Sequence, residues 1–157
     1  MRFRLNGWVT LQTSALVVAS TFLTACSSVP LASSQADYQA KQFQVERDSS
    51  VLYIVQDGGY APGMALFQIS VDGIPQGSLA GATFHRVVVK PGEHTVVGTS
   101  PENENGIRVV APAGKLVFIS VPSSAGWRQM RVGDMRVIDE SAGKQAVLNS
   151  DLARGFN

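Results

Sequence analysis

The side chains able to do chemistry in this sequence are few and scattered. His85 and His94 fall near opposite ends of a strand–turn–strand pattern, and either type of site they suggest, metal ligand or general base, is conceivable for imidazole. Neither has a further ligand at metal spacing, and Glu93 beside His94 should point to the other face of a strand. Both therefore read as histidines satisfied by neighbours or by solvent. The serines form no nucleophile elbow: Gly77-Ser78-Leu79-Ala80-Gly81 lacks the Gly-x-Ser-x-Gly spacing, and Ser123-Ser124-Ala125-Gly126 reads as a turn. Asp57 and Asp72 sit in turn-forming stretches, where aspartate is expected for backbone reasons alone, so no carboxylate pair for glycan hydrolysis stands out. Gly58-Gly59 is not followed by a lysine-bearing helix, so no phosphate loop is present. The expectation is a chain with no catalytic residue, no metal and no cofactor.

What remains is contact chemistry. Trp127-Arg128-Gln129-Met130-Arg131, with Arg136 further on, places an aromatic among guanidinium groups. Trp and Arg are enriched where proteins bind partners, and the pair could also stack on a sugar or meet an anionic headgroup. The competing reading is an edge strand whose arginines keep it soluble and whose Trp127 is core. Tyr60, in the Gly-rich stretch Asp57–Gly63, is a second contact candidate.

Cys26 is the only cysteine, so an internal disulfide is impossible. Its surroundings explain it. Arg2 and Arg4 make a short positive start, and an apolar stretch follows, densest over Ala15–Leu23. That stretch is too short to span a bilayer, which takes about 20 apolar residues, and it suits the apolar part of a signal peptide. Leu23-Thr24-Ala25-Cys26 resembles the lipobox of bacterial lipoproteins. Small residues let the extended backbone enter a narrow protease cleft, and the deprotonated thiol takes a diacylglycerol group as a thioether. Each buried methylene contributes about 0.8 kcal/mol, so two or more acyl chains hold stably. The resemblance further implies transport to the outer membrane, periplasmic face, because Ser27 follows the cysteine where aspartate would imply retention in the inner membrane.

Cleavage before Cys26 divides the chain into a signal segment 1–25, a Ser/Pro-rich tether 26–34 and a single domain 35–157. The tether and domain total 132 residues, enough for one hydrophobic core. Hydrophobic content is 45% and charged content 16%, a globular balance. Removing Arg2 and Arg4 from the 13 basic residues leaves 11 against 12 acidic, a net charge of −1 that offers no basis for nucleic-acid binding.

The elements that must position these residues are mostly strands. Val51–Val55 is an apolar run of β-formers, Ala65–Val71 alternates, and Asp72-Gly73 is a hairpin turn. Further strands are expected at 77–79, 83–89, 94–98, 107–110, 116–121 and 127–138, the last with a break at Gly133-Asp134. Lys90-Pro91-Gly92-Glu93 suits a type II turn and so an arch between sheets rather than a tight hairpin. Helices are expected at Gln35–Phe43, capped by Ser34, and from Asp139 to about Leu152, with Gly143 weakening the second and Gly155 ending it. Short strands with Gly/Pro punctuation predict a mainly β fold: a small β-sandwich or partly open barrel with a C-terminal helix.

The order of these features is itself informative. Ala36-Asp37-Tyr38 with Lys41 and Phe43, Leu52-Tyr53-Ile54, Val71-Asp72-Gly73, Val87–His94, Ala113–Phe118 and the late Gly143 follow the lipobox in turn. Together they resemble the bacterial lipoprotein family called domain of unknown function twenty-eight forty-six, and Val71–Val97 resembles a PEGA-type β module. The resemblance implies a β-rich envelope domain and carries over no active site. The polar loop Thr99–Gly106, with Glu102 and Glu104, departs from it. The resulting expectation is a non-enzymatic, lipid-anchored module that binds an envelope protein or serves as structure; the alternative is a small-ligand or glycan binder.

Overall fold

The computed structural model describes residues 29–56 and 65–156. The expected signal segment, the expected lipobox with Cys26, and Tyr60 lie outside the described residues. Along the chain run α1 (Ser34–Ala40), β1 (Ser50–Gln56), β2 (Leu66–Val71), β3 (Ile74–Ala80), β4 (Thr83–Val89), β5 (Gly92–Thr99) and β6 (Glu104–Ala111). Then follow β7 (Leu116–Ser120), β8 (Ser123–Ala125), β9 (Met130–Val132), β10 (Arg136–Ile138), α2 (Glu140–Leu148) and β11 (Asp151–Leu152). The fold is mainly β, as expected, and its sheets do not close into a barrel.

Two sheets face each other. A five-stranded sheet has the order β10-β7-β1-β4-β11, and a four-stranded sheet the order β3-β2-β5-β6. β1 is the central strand and is buried at every position, as a continuous apolar run requires when both faces are covered. It pairs antiparallel with β4 and parallel with β7. Leu52 and Ile54 face the four-stranded sheet, meeting Phe67, Ile69, Val71, Leu79, Val96 and Val109 in the main core. Val51, Tyr53 and Val55 face the other way, into a second core with Ala40, Phe84, Phe118 and Val147, covered by both helices. In this second core the Tyr53 and Phe118 rings stack at 5.1 Å, and the Tyr53 hydroxyl donates to the Ala40 carbonyl.

Local chemistry accounts for the connections. Asp72 and Gly73 have φ of 51° and 77°, the left-handed pair that a two-residue primed turn needs to join β2 to β3. The Lys90–Glu93 turn carries the chain from β4 in one sheet to β5 in the other, so it is the expected arch.

Several expectations need correction. Ser33, not Ser34, caps α1, its Oγ accepting from Ala36 N–H at 3.2 Å, and the helix stops at Ala40. Phe43, instead of continuing the helix, takes φ of 55° and turns its ring into the second core. Asp139, expected as the start of the second helix, instead caps α2; that helix ends at Leu148, and Asp151–Leu152 pair in parallel with β4. Gly155 therefore ends no helix and lies against Gln76. The stretch 127–138 is two short strands, interrupted at Gly133-Asp134 as expected, and Trp127 belongs to neither. The segment expected as a tether is docked from Val29 onward. Val29 is 6% exposed among Ala80 and Ala153, Leu31 bridges Ala153, and Ala32 N–H donates to the Leu152 carbonyl at 2.9 Å.

Candidate functional site

Trp127 stands 93% exposed, so the reading of it as core is overturned. It sits on the loop between β8 and β9, and that loop is held by the polar segment joining β5 to β6. The backbone N–H groups of Trp127, Arg128 and Gln129 all donate to the Glu102 carboxylate, at 2.7, 2.5 and 2.7 Å. Three successive N–H groups converging on one carboxylate form an anion nest closed by the protein's own side chain. The Arg128 and Gln129 N–H groups are the largest reason that the Glu102 carboxyl is held below the ordinary carboxylate range, and the Arg131 charge assists.

The neighbouring side chains complete the clamp. The Asn103 amide bonds the backbone of Val132 on both sides, accepting from its N–H at 2.9 Å and donating to its carbonyl at 2.8 Å. Asn105 donates to the Gly133 carbonyl at 2.9 Å. Ser100 Oγ in turn donates to Asn103 Oδ1 at 2.8 Å. Gly126 is required where it stands, because a Cβ there would collide with the Glu102 carboxylate and the Gln129 carbonyl.

Beside the loop opens a cleft of about 750 Å³, lined by Leu66 and Gln68 of β2, Thr99, Ser100 and Pro101 after β5, and Ala125–Met130. Its wall is partly apolar, through Leu66, Pro101, Met130 and the Trp127 indole, and partly amide and hydroxyl. The arrangement offers an exposed indole on a loop whose backbone is held, with the Arg128, Gln68, Thr99 and Gln129 side chains also lining the cleft. It can bind; it brings no acid, base and nucleophile together.

The structure thus unites Trp127 with Arg128 and separates the rest. Arg131 lies on β9 near Glu102, lining a smaller depression with Asn103, Glu104 and Asp134. Arg136 is on β10, at the edge of the five-stranded sheet, away from the cleft. Glu102, Asn103 and Asn105 were missed as functional residues. The signal was present in the dense Glu/Asn run of the loop that departs from the family resemblance.

The histidines are accounted for individually. His85 is 3% exposed; burial pushes its basicity down, so it is neutral and Nε2–H donates to the Ser78 carbonyl at 3.1 Å. His94 is bonded at both nitrogens, to the Asp72 carboxylate at 2.6 Å and the Lys90 carbonyl at 2.7 Å. Both partners are acceptors, so the charged imidazolium satisfies both, and the Asp72 hydrogen bond raises the His94 pKa. Among the described residues no three His, Cys, Asp or Glu side chains group to hold a metal.

Comparison with known proteins adds a relative and no function. No family model matches the chain, and no solved structure is similar to it. It is 29% identical to an uncharacterized protein of Haemophilus influenzae over 155 residues, 94% of this chain and 89% of that protein. The similarity therefore runs through almost the whole of both chains.

Proposed function

We propose that this chain is a bacterial envelope lipoprotein, acylated at Cys26 and held at the periplasmic face of the outer membrane, whose β domain captures a protein partner at the Trp127 cleft. The lipobox Leu23-Thr24-Ala25-Cys26 and the family resemblance drawn from the sequence support the anchor. The observation that carries the binding role is the almost fully exposed Trp127, on a loop whose backbone Glu102 holds. Leaving an indole in water costs solvation free energy, and fixing its loop in advance removes ordering entropy from the binding step. Trp and Arg are both enriched among the few residues that carry most of the binding energy at protein interfaces.

The test is crosslinking of the tagged lipoprotein in its native envelope, with mass spectrometry of what copurifies. One dominant partner, lost on Trp127→Ala while the domain still folds, is the expected result. No reproducible partner refutes the protein-binding reading. The polar rim of Gln68, Thr99 and Gln129 around the indole favours a second reading, a glycan stacked on Trp127. Retention of the domain on peptidoglycan fragments in place of a protein would establish that alternative.

A further inference from the structure

The edge of the domain that receives the N-terminal segment carries surface that the Trp127 cleft does not use. Val29 is buried against Ala80 and Ala153. The next residues run beside the C-terminal segment, Leu31 bridging Ala153 and Arg154 N–H donating to the Pro30 carbonyl at 2.8 Å. That segment is in turn fastened to the four-stranded sheet, where Phe156 N–H donates to the Gln76 carbonyl at 3.3 Å. Two large apolar side chains stand out from this edge, Leu31 at 45% and Phe156 at 67% exposed. Arg154, two residues before Phe156, is exposed and forms no ion pair among the described residues. The nearest acid on α1, Asp37, is engaged with Lys41 at 2.7 Å and with the Leu152 N–H at 2.8 Å.

Chain length decides what lies against this edge. Cys26 precedes Val29 by three residues, and three fully extended residues span at most about 11 Å. An acyl group on Cys26 therefore brings Val29 to within about a single strand's width or two of the lipid headgroups, with no long tether to let the domain turn away. We infer that the Leu31–Arg154–Phe156 edge is a membrane-contact surface: the two apolar side chains enter the interfacial layer and Arg154 meets a lipid phosphate. This inference rests on the proposed acylation of Cys26. Chemically it is what the interface selects, apolar bodies at acyl-chain depth and a guanidinium at headgroup level. It also fixes orientation, because a surface docked on the bilayer leaves the open faces of the sandwich to the periplasm.

The test uses the acylated chain reconstituted into phosphatidylethanolamine–phosphatidylglycerol vesicles, with intact mass reporting the acyl groups. Acylation consumes the only native thiol, so Leu31→Cys, Phe156→Cys and, as a control on β5, Glu93→Cys each carry one nitroxide label. Collision with oxygen, which concentrates in lipid, is compared with collision with a water-soluble nickel chelate. The expected result is an oxygen-to-nickel ratio several-fold higher at 31 and 156 than at 93. A water-like ratio at 31 and 156 in protein that is acylated and vesicle-bound overturns the inference and leaves the anchor standing. Labels shielded from both reagents and broadened by each other also overturn it, by placing a second copy on this edge. A chain without acyl mass that stays in solution removes the anchor and this inference together.

Discussion

Glu102 gives both carboxylate oxygens to its own chain, and in doing so holds the backbone from which the Trp127 indole projects. If the proposed cleavage before Cys26 removes Trp8, Trp127 is the sole tryptophan of the processed chain and its fluorescence reports on this loop. Glu102→Ala is expected to lower the anisotropy of Trp127 emission and to weaken partner capture roughly tenfold through lost preorganisation, with the fold intact by circular dichroism. Unchanged anisotropy would mean that the three N–H bonds are not what holds the loop. The pH dependence has a definite sign: the Glu102 pKa is depressed in the folded state, so the restraint is complete above the ordinary carboxylate value and is lost as pH falls through the depressed one. His94 behaves in the opposite sense. Its folded pKa is raised above 6.5, chiefly by the Asp72 hydrogen bond, so its contribution is full below that value and fades as pH rises through the folded pKa. Asp72 is half-exposed, and the pair is worth about 1 kcal/mol or less. A stability curve against pH should therefore decline on the alkaline side of 6.5 in the native chain, and His94→Gln should flatten that decline. An identical slope in the variant would discount the pair.

At the scale of elements, α2 shows where local propensity gives way to packing. Gly143 lowers helix propensity by about 1 kcal/mol relative to alanine, yet a Cβ there would strike the Phe118 ring. The helix rests directly on β7 at this point. Gly143→Ala should accordingly destabilise the domain by about 1–3 kcal/mol, overpacking exceeding the propensity gain; a rise in urea midpoint would show that α2 can shift outward without penalty. The same contrast separates what was legible in the sequence from what was not. β1, the alternating β2, the Asp72-Gly73 turn and the β4–β5 arch all rest on neighbouring residues, and local pattern was sufficient to find them. Trp127, by contrast, owes its position to Glu102, 25 residues earlier in the chain, and no local pattern reports such a pairing. α1 and α2 came out shorter than expected for a related reason. Phe43 has partners in the second core, and Leu152 has one in β4; tertiary contacts claimed residues that propensity would have left helical.

The whole molecule is closed by its ends. Residues 29–32 and 151–156 lie side by side along one edge, so the N-terminal segment belongs to the folded unit. A chain starting at residue 29 should keep full stability, whereas one starting at residue 33, which retains the cap of α1, should lose about 2 kcal/mol through the lost burial of Val29. Equal urea midpoints for the two would return the segment to the role of a tether. The parallel pairing of β1 with β7 has a different consequence, one of timing. Val51 meets Leu116, 65 residues further along, and the strand between them cannot be completed by any local hairpin. Ordering so distant a contact means closing a large loop before any of its burial is realised, which makes such topologies slow to fold. On the proposed route the chain must be threaded across a membrane before it folds, and slow closure favours that: until β7 arrives, β1 lacks a neighbour on one side, and the polypeptide stays extended enough to be exported.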